Sequence, residues 1–233
     1  MADDLKIRLD ELTDNPTARV PVCLALDVSG SMMGKKIEEL NTSVASFFRA
    51  IRDDEMASIA AEIAVVTFGE GVKKVLDFAG IERQQVPRFT ADGYTPMGEA
   101  VTMCLDMLEQ EKRIYSEMGV DYFQPWLVLM TDGEPTDDIT VAVQRCQTMV
   151  NSRKLTVFPI AIGTDANLAK LGQFSPRLKP LRMEATDLKR FFAWLSKSVN
   201  AVSLSNPGDT QSAGLGETAF KKMSVDWEKA FKS

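Results

Sequence analysis

The stretch VPVCLALDVSGSM, residues 20–32, joins a run of apolar residues to a loop of small and polar ones. A continuous apolar run that is bounded by turn residues is typical of a strand covered on both faces. Asp27 closes the run, and Gly30 allows the chain to turn tightly. Ser29 and Ser31 place hydroxyls at alternate positions in the loop. The stretch therefore predicts a buried strand that ends in a group of oxygen atoms.

Similar apolar runs recur along the chain and alternate with helical patterns. They are SIAAEIAVVTFG (58–69), QPWLVLMTDG (124–133) and LTVFPIAIG (155–163), with a weaker one in PLRMEA (180–185). KKVLDFAG (73–80) follows its neighbour after only EGV, which is too short for a parallel crossover and predicts an antiparallel edge strand. Strands that alternate with helices indicate an α/β fold with a doubly wound, mostly parallel six-stranded sheet and helices on both faces.

Apolar residues at intervals of three and four predict the helices. These stripes span residues 37–51, 97–108, 139–150 and 188–202. A sequence of 233 residues with 45% hydrophobic composition suits one sizeable domain. We expect that domain over residues 18–204.

The two ends of the chain differ in composition from this domain. We expect an extension over residues 1–17, in which Leu5, Leu9 and Leu12 could line a short surface helix. Residues 205–233 are expected to form a linker and a short amphipathic segment, because SNPGDTQSAGLGET is rich in small and polar residues. Phe220, Met223, Trp227 and Phe231 share one helical face of that segment, and they either pack on the domain or meet another chain.

Composition excludes several classes of chemistry. The chain has no histidine, so no Ser-His-Asp triad, Cys-His pair or histidine-ligated zinc can form. Cys23, Cys104 and Cys146 are odd in number and far apart, which argues against a disulfide framework or a paired-cysteine zinc site and favours buried packing.

Charge and hydropathy bear on partners and location. The net charge of −6 is spread over mixed-sign positions without a basic cluster, so no nucleic-acid partner is expected. No run of about 18 apolar residues is present, and membrane association is not expected. The start MADDLKIRLDELTDNP is polar and acidic rather than signal-like, so we expect a cytoplasmic protein.

Oxygen-bearing side chains recur in two further loops. Thr95 lies in DGYTPMGEA and Asp132 in LVLMTDGEPTDD. The oxygen-bearing residues of all three loops have ordinary alternative roles. Thr95 could be the N-cap before Pro96, Asp132 could belong to an Asp-Gly turn, and Asp27 and its serines could be turn residues. In an open α/β sheet, however, all three loops meet beyond the carboxyl ends of the strands, where ligands bind. Hydroxyls and carboxylates together suit a hard divalent cation, which prefers oxygen ligands.

The motifs DVSGSM, GYTPMGEA and LVLMTDGEP resemble the metal-ion-dependent adhesion site of a von Willebrand factor A (VWA) domain. The resemblance covers roughly residues 18–204, and within the family the short, insert-free chain resembles the bacterial TerY-like proteins of tellurium-resistance and related stress operons. Some TerY-like proteins carry a cysteine-rich metal-binding tail, which this chain lacks.

The resemblance implies a role for each site residue. Ser29 and Ser31 would bind the metal directly, Thr95 would bind it in the ligand-competent form, and Asp27 and Asp132 would act mostly through water. Mg²⁺ is the expected ion, with Mn²⁺ or Ca²⁺ as substitutes. Because the hydroxyls are neutral, the ion should accept a further carboxylate, most simply from an Asp or Glu side chain of a partner protein.

Three alternatives compete with this interpretation: an aspartyl-phosphate phosphatase, a nucleotide-binding protein and a VWA co-factor of an AAA+ ATPase. Aspartyl-phosphate phosphatases share the fold but need a second carboxylate where this chain has Ser29. Nucleotide binding is not expected, because no GxxxxGK[ST] phosphate loop is present. Glu134 could serve as a general base for metal-bound water, although solvated loop surface is its simpler role. We therefore expect no enzyme activity. A VWA co-factor of an AAA+ ATPase stays open as an alternative, because it differs only in its partner.

Overall fold

The computed structural model describes residues 9, 11–206 and 212–230. Its strands are β1 (Val20–Asp27), β2 (Ala61–Phe68), β3 (Val72–Leu76), β4 (Trp126–Thr131), β5 (Thr156–Ile162) and β6 (Leu181–Met183). They form one six-stranded sheet in the order β3-β2-β1-β4-β5-β6. All neighbouring pairs are parallel except β2 and β3, which are antiparallel. The predicted α/β fold with one antiparallel edge strand is confirmed.

Helices cover both faces of this sheet. They are α1 (Lys35–Arg52), α2 (Glu55–Ala60), α3 (Met97–Met118), α4 (Thr140–Asn151), α5 (Leu168–Gly172), α6 (Leu188–Ser203) and α7 (Ser212–Ala230). Side chains of β1 alternate between the two faces: Val22, Leu24 and Leu26 pack with residues of α1 and α6, whereas Cys23 and Ala25 pack with residues of α3 and α4. This two-sided burial explains why the strand reads as a continuous apolar run.

The cysteines lie in the second of these cores. Cys23, Cys104 and Cys146 are all free and buried, as predicted. They come from β1, α3 and α4 and belong to the same cluster of packed side chains.

Among the described residues, no helix is both long and apolar enough to cross a membrane.

One predicted strand begins later than expected. Residues 58–60 were assigned to the second strand, but they form the end of α2, and β2 begins at Ala61. The reason lies at the start of α2, where the Asp54 carboxylate accepts hydrogen bonds from the backbone N–H groups of Met56 and Ala57. This N-cap stabilises a helical turn in a short apolar stretch that is compatible with either structure.

The predicted linker is wrong over residues 212–218, which form the first turns of α7. Two glycines lower the helix propensity of this stretch, but contacts with the domain outweigh that cost. A Cβ atom at Gly216 would lie 2.8 Å from the ring of Trp126, so the absent side chain permits close packing. The Glu217 carboxylate accepts a hydrogen bond of 2.8 Å from Arg177 Nε.

Helix α7 packs on the domain through Phe220, which is 1% exposed. Its ring centroid lies 5.2 Å from that of Phe158 and 5.7 Å from that of Trp194. Of the two alternatives, packing on the domain or contact with another chain, Phe220 therefore adopts the first. Leu5, Phe231 and the side chain of Trp227 lie outside the described residues, while Leu12 is buried against the domain.

Candidate metal centre

The carboxyl ends of β1 and β4 bring two acidic residues to one edge of the sheet. Asp27 is the last residue of β1, and Asp132 directly follows β4. The two strands are parallel neighbours, with Leu26 opposite Met130. Both carboxylates are fully buried. Two acidic groups withdrawn from water at one place require compensation by hydrogen bonds or by positive charge.

Asp27 is held by hydrogen bonds from its own loop and from β4. Its Oδ1 accepts from the backbone N–H of Ser29 at 2.8 Å, and its Oδ2 accepts from Thr131 Oγ1 at 2.6 Å. Burial raises the pKa of the Asp27 carboxyl, although the hydrogen bonds from Ser29 and Thr131 oppose that shift. The turn role anticipated for Asp27 is thus present together with its place at the sheet edge.

A chain of short contacts links the two serines to Asp132. Ser29 Oγ lies 3.0 Å from Ser31 Oγ, and Ser31 Oγ donates a hydrogen bond of 2.6 Å to Asp132 Oδ1. The other oxygen, Asp132 Oδ2, accepts from Lys36 Nζ at 2.5 Å. The hydroxyls of one loop therefore meet the carboxylate of another.

The loop that carries Thr95 is fastened by backbone hydrogen bonds. Gly93 O accepts from Gly30 N at 3.0 Å, and Tyr94 N donates to Gly69 O at 3.1 Å. Gly93 has a φ of 78°, and a Cβ atom there would lie 2.5 Å from Glu70 N. Only glycine fits such a position, because both the dihedral angle and the available space exclude a side chain.

This fastening brings the Thr95 hydroxyl to the other oxygens. A Cβ atom at Gly133 would lie 3.8 Å from Thr95 Oγ1 and 4.0 Å from Ser31 Oγ. Gly133 thus lies beside both hydroxyls. The loops after β1, before α3 and after β4 contribute together to the same edge.

The position of Thr95 is also fixed by the loop that follows β4. Thr95 N donates to Thr136 Oγ1 at 3.1 Å, and Thr136 N donates to Thr95 O at 2.9 Å. The carboxylate of Asp137 accepts from Gly98 N and Glu99 N at 3.0 and 2.8 Å. Asp137 thereby caps α3, so the alternative N-cap role of Thr95 is not observed.

The donor set suits a hard divalent cation. Within the described part of the chain, no three Asp, Glu, His or Cys side chains form a metal-binding group. A cation at this edge would therefore depend on hydroxyl oxygens beside two carboxylates. Oxygen donors of this kind, with the Thr95 and Ser31 hydroxyls both close to Gly133, are compatible with Mg²⁺, Mn²⁺ or Ca²⁺.

Large apolar side chains border this edge. Met33 is 60% exposed and Tyr94 is 77% exposed, whereas Met32 is buried in the core. The two methionines, for which burial was the alternative, therefore differ in their environment. Glu134 is exposed and accepts a hydrogen bond of 2.9 Å from Asn167 Nδ2.

Four residues of this region were not predicted from the sequence, namely Lys36, Thr131, Thr136 and Asp137. For Lys36 a signal exists, because a lysine in the first turn of a helix opposes the helix dipole, and that arrangement favours a nearby anion. Thr131 directly precedes Asp132, but its contact with Asp27 depends on strand pairing. The contacts of Thr136 and Asp137 depend on how two loops pass each other, which no local pattern reveals.

Comparisons with known proteins agree with this architecture. A family model described as the von Willebrand factor type A domain matches residues 22–190. Human inter-alpha-trypsin inhibitor heavy chain H6 is 22% identical over 166 residues, which are 69% of this chain and 13% of that protein. This chain thus spans a small part of the relative's length.

Two solved structures show the same fold. The vWF domain of the type V pili tip protein Mfa5 from Porphyromonas gingivalis is 13% identical with a TM-score of 0.60, covering 82% of this chain and 98% of that one. Proximal thread matrix protein 1 from the mussel byssus, with a zinc-occupied MIDAS motif, is 16% identical with a TM-score of 0.53. That match covers 79% of this chain and 48% of the mussel chain.

Proposed function

This chain belongs to the von Willebrand factor type A domain family, which is known for metal-dependent protein interaction, and we propose that it recruits a partner protein through a bound divalent cation. The proposed ligand set is Asp27, Ser29, Ser31, Thr95 and Asp132. The observation that carries the proposal is the contact of Ser31 with both Ser29, at 3.0 Å, and Asp132, at 2.6 Å.

The proposed roles divide the residues into neutral and charged groups. Ser29, Ser31 and Thr95 offer neutral oxygens to the cation, and Asp27 and Asp132 hold the surrounding waters and hydroxyls in place. Mg²⁺ is the proposed ion, because it tolerates a site that leaves several waters attached, and Mn²⁺ or Ca²⁺ would substitute for it. The mussel protein, which shares this fold and has a zinc-occupied motif, supports the proposal of a bound divalent ion.

A divalent ion bound here supplies a position that attracts an anionic oxygen from outside. We assign that oxygen to an Asp or Glu side chain of the partner. Association also carries a cost of several kcal/mol, so one such contact needs additional surface. The exposed side chains of Met33 and Tyr94 border the site and offer apolar contact area.

Metal binding is tested with a double variant, Ser29→Ala with Ser31→Ala, and a control that carries Ser46→Ala with Ser58→Ala. At a metal concentration about 100-fold above the dissociation constant, the free energy of unfolding should rise by about 2.7 kcal/mol. Wild type and control should show this rise in thermal unfolding, while the site variant should not. Identical responses of all three proteins to Mg²⁺ would show that the serines do not bind the ion.

Partner recruitment is tested by affinity capture from cells, with and without chelator. Capture should be lost with chelator, lost with Thr95→Ala, and lost when one Asp or Glu of the captured protein is replaced by its amide. A protein that binds equally in chelator and to the Thr95→Ala variant would place the interaction surface elsewhere.

The proposed setting is a cytoplasmic bacterial stress response of the tellurium-resistance type. Its support is the resemblance of DVSGSM, GYTPMGEA and LVLMTDGEP to the TerY-like proteins. Neighbouring kinase, phosphatase or stress-operon genes would favour this setting, whereas a neighbouring ATPase gene would favour the AAA+ co-factor.

We further propose that the site is not catalytic, since Ser29 stands where a phosphatase needs its second carboxylate. Metal-dependent phosphoester hydrolysis that Asp27→Asn abolishes would contradict the proposal of a non-catalytic site.

A further inference from the structure

Lys36 reaches the site from the first turn of α1. Its Nζ lies 2.5 Å from Asp132 Oδ2, with the lysine side chain 29% exposed and the aspartate side chain fully buried. The other oxygen of the same carboxylate accepts from Ser31. Asp132 is therefore engaged on both oxygens, by a hydroxyl on one side and by an ammonium group on the other.

The Lys36 side chain passes beside Gly163, which directly follows β5. Gly163 has a φ of 72°, and a Cβ atom there would lie 3.9 Å from Lys36 Cε. Its backbone N–H donates to Met183 O at 2.8 Å, which fixes its position beside β6. The aliphatic stem of Lys36 thus passes close to the backbone at Gly163 on its way to Asp132.

The charge of Lys36 also affects the charge balance of the site when a divalent ion is bound. Asp27 and Asp132 together would neutralise a divalent ion, and Lys36 leaves one positive charge in excess. Two cations that share the Asp132 carboxylate repel each other, and the repulsion is strong where water is excluded. The ammonium group must therefore move away from Asp132, or remain and weaken the bound ion.

We propose that Lys36 is the counter-ion of Asp132 in the metal-free site and competes with the divalent cation for that carboxylate, so that it sets the metal affinity. This inference rests on the proposed metal binding. The role differs from that of a ligand, because removal of a ligand weakens metal binding whereas removal of Lys36 strengthens it. The same excess charge favours the incoming carboxylate of a partner once the ion is bound.

The test titrates Mn²⁺ into the full chain by calorimetry, with wild type, Lys36→Met, Lys36→Arg and Lys35→Met. Lys35 is the matched control, because it lies in the same helical turn, carries the same charge and is exposed. Lys36→Met should bind Mn²⁺ about tenfold more tightly, which corresponds to roughly 1.4 kcal/mol of relieved repulsion. Lys36→Arg and Lys35→Met should keep the wild-type affinity.

Thermal unfolding in chelator gives a second readout that needs no metal. Lys36→Met should lower the melting temperature relative to Lys35→Met, because Asp132 loses its counter-ion. Equal Mn²⁺ affinity of wild type and Lys36→Met, or weaker binding by the variant, overturns the inference and leaves the metal site standing. Absence of Mn²⁺ binding in all four proteins overturns the metal site and the inference together.

Discussion

Gly93 combines a left-handed backbone conformation with a close approach to another loop. A comparison of Gly93→Ala with a control glycine should separate the dihedral strain from the displacement of the Thr95 loop. Gly119, at the end of α3, is the matched control: its φ is 66° against 78° at Gly93, but nothing lies within 4 Å of a Cβ atom built there. The free energy of unfolding of Gly119→Ala should fall only by the cost of the left-handed conformation, about 1 to 2 kcal/mol. The surrounding structure need not move.

Gly93→Ala should lose considerably more. Its Cβ atom would lie 2.5 Å from Glu70 N, so the backbone of one loop must shift. The shift breaks or lengthens two backbone hydrogen bonds, Gly30 N to Gly93 O and Tyr94 N to Gly69 O. At about 1 kcal/mol for each bond, added to the same dihedral strain, the expected loss is about 3 to 4 kcal/mol.

Urea unfolding in chelator measures both losses, and Mn²⁺ calorimetry measures their effect on the site. Gly93→Ala should also weaken Mn²⁺ binding by about tenfold or more, equivalent to at least 1.4 kcal/mol, because Thr95 moves with its loop. Gly119→Ala should leave the Mn²⁺ affinity unchanged. If both variants lose the same stability and bind Mn²⁺ equally, the close crossing of the two loops does not position Thr95.

Two further predictions concern the cores. Phe220→Ala should destabilise the whole domain by about 3 to 5 kcal/mol in urea unfolding, whereas Val225→Ala, at a residue 49% exposed, should change stability by less than about 0.5 kcal/mol. A separate early transition for α7 would instead show that this helix unfolds on its own. Burial raises the pKa of Cys146 to about 12 and that of Cys104 well above its ordinary value, so a thiol reagent at pH 8 should label neither until denaturant is added. Rapid labelling of the native protein would show that this core opens readily.

Sequence patterns predicted the parts of the fold that local composition controls. Each of the long buried strands reads as a continuous apolar run, and the three residues before KKVLDFAG excluded a parallel crossover. The boundary near residues 58–60 could not be predicted in the same way, because an apolar stretch suits either a helix or a strand. The cap supplied by Asp54 decided it.

The start of α7 was missed for a different reason. The glycines near Gly216 indicate a linker by composition, yet the contact of that glycine with Trp126 makes the helix favourable. Trp126 is distant in the sequence, so no local window contains this information. The site shows the same division between local and distant information. Strand ends place Asp27 and Asp132 at one edge of the sheet, but the contact of Lys36 with Asp132 and its approach to Gly163 depend on tertiary packing.

The two edges of the sheet differ in how they resist association with an extended peptide. An unpaired edge strand offers backbone donors and acceptors to any incoming strand. At β3 the exposed side chains of Lys73 and Lys74 place charge along that edge, each in an ion pair with a neighbouring acidic residue. The strand β6 is only three residues long, and the side chain of its middle residue, Arg182, donates hydrogen bonds to carbonyl groups of the loop after β5. Strand addition and edge-to-edge polymerisation are therefore disfavoured at both sides of the sheet.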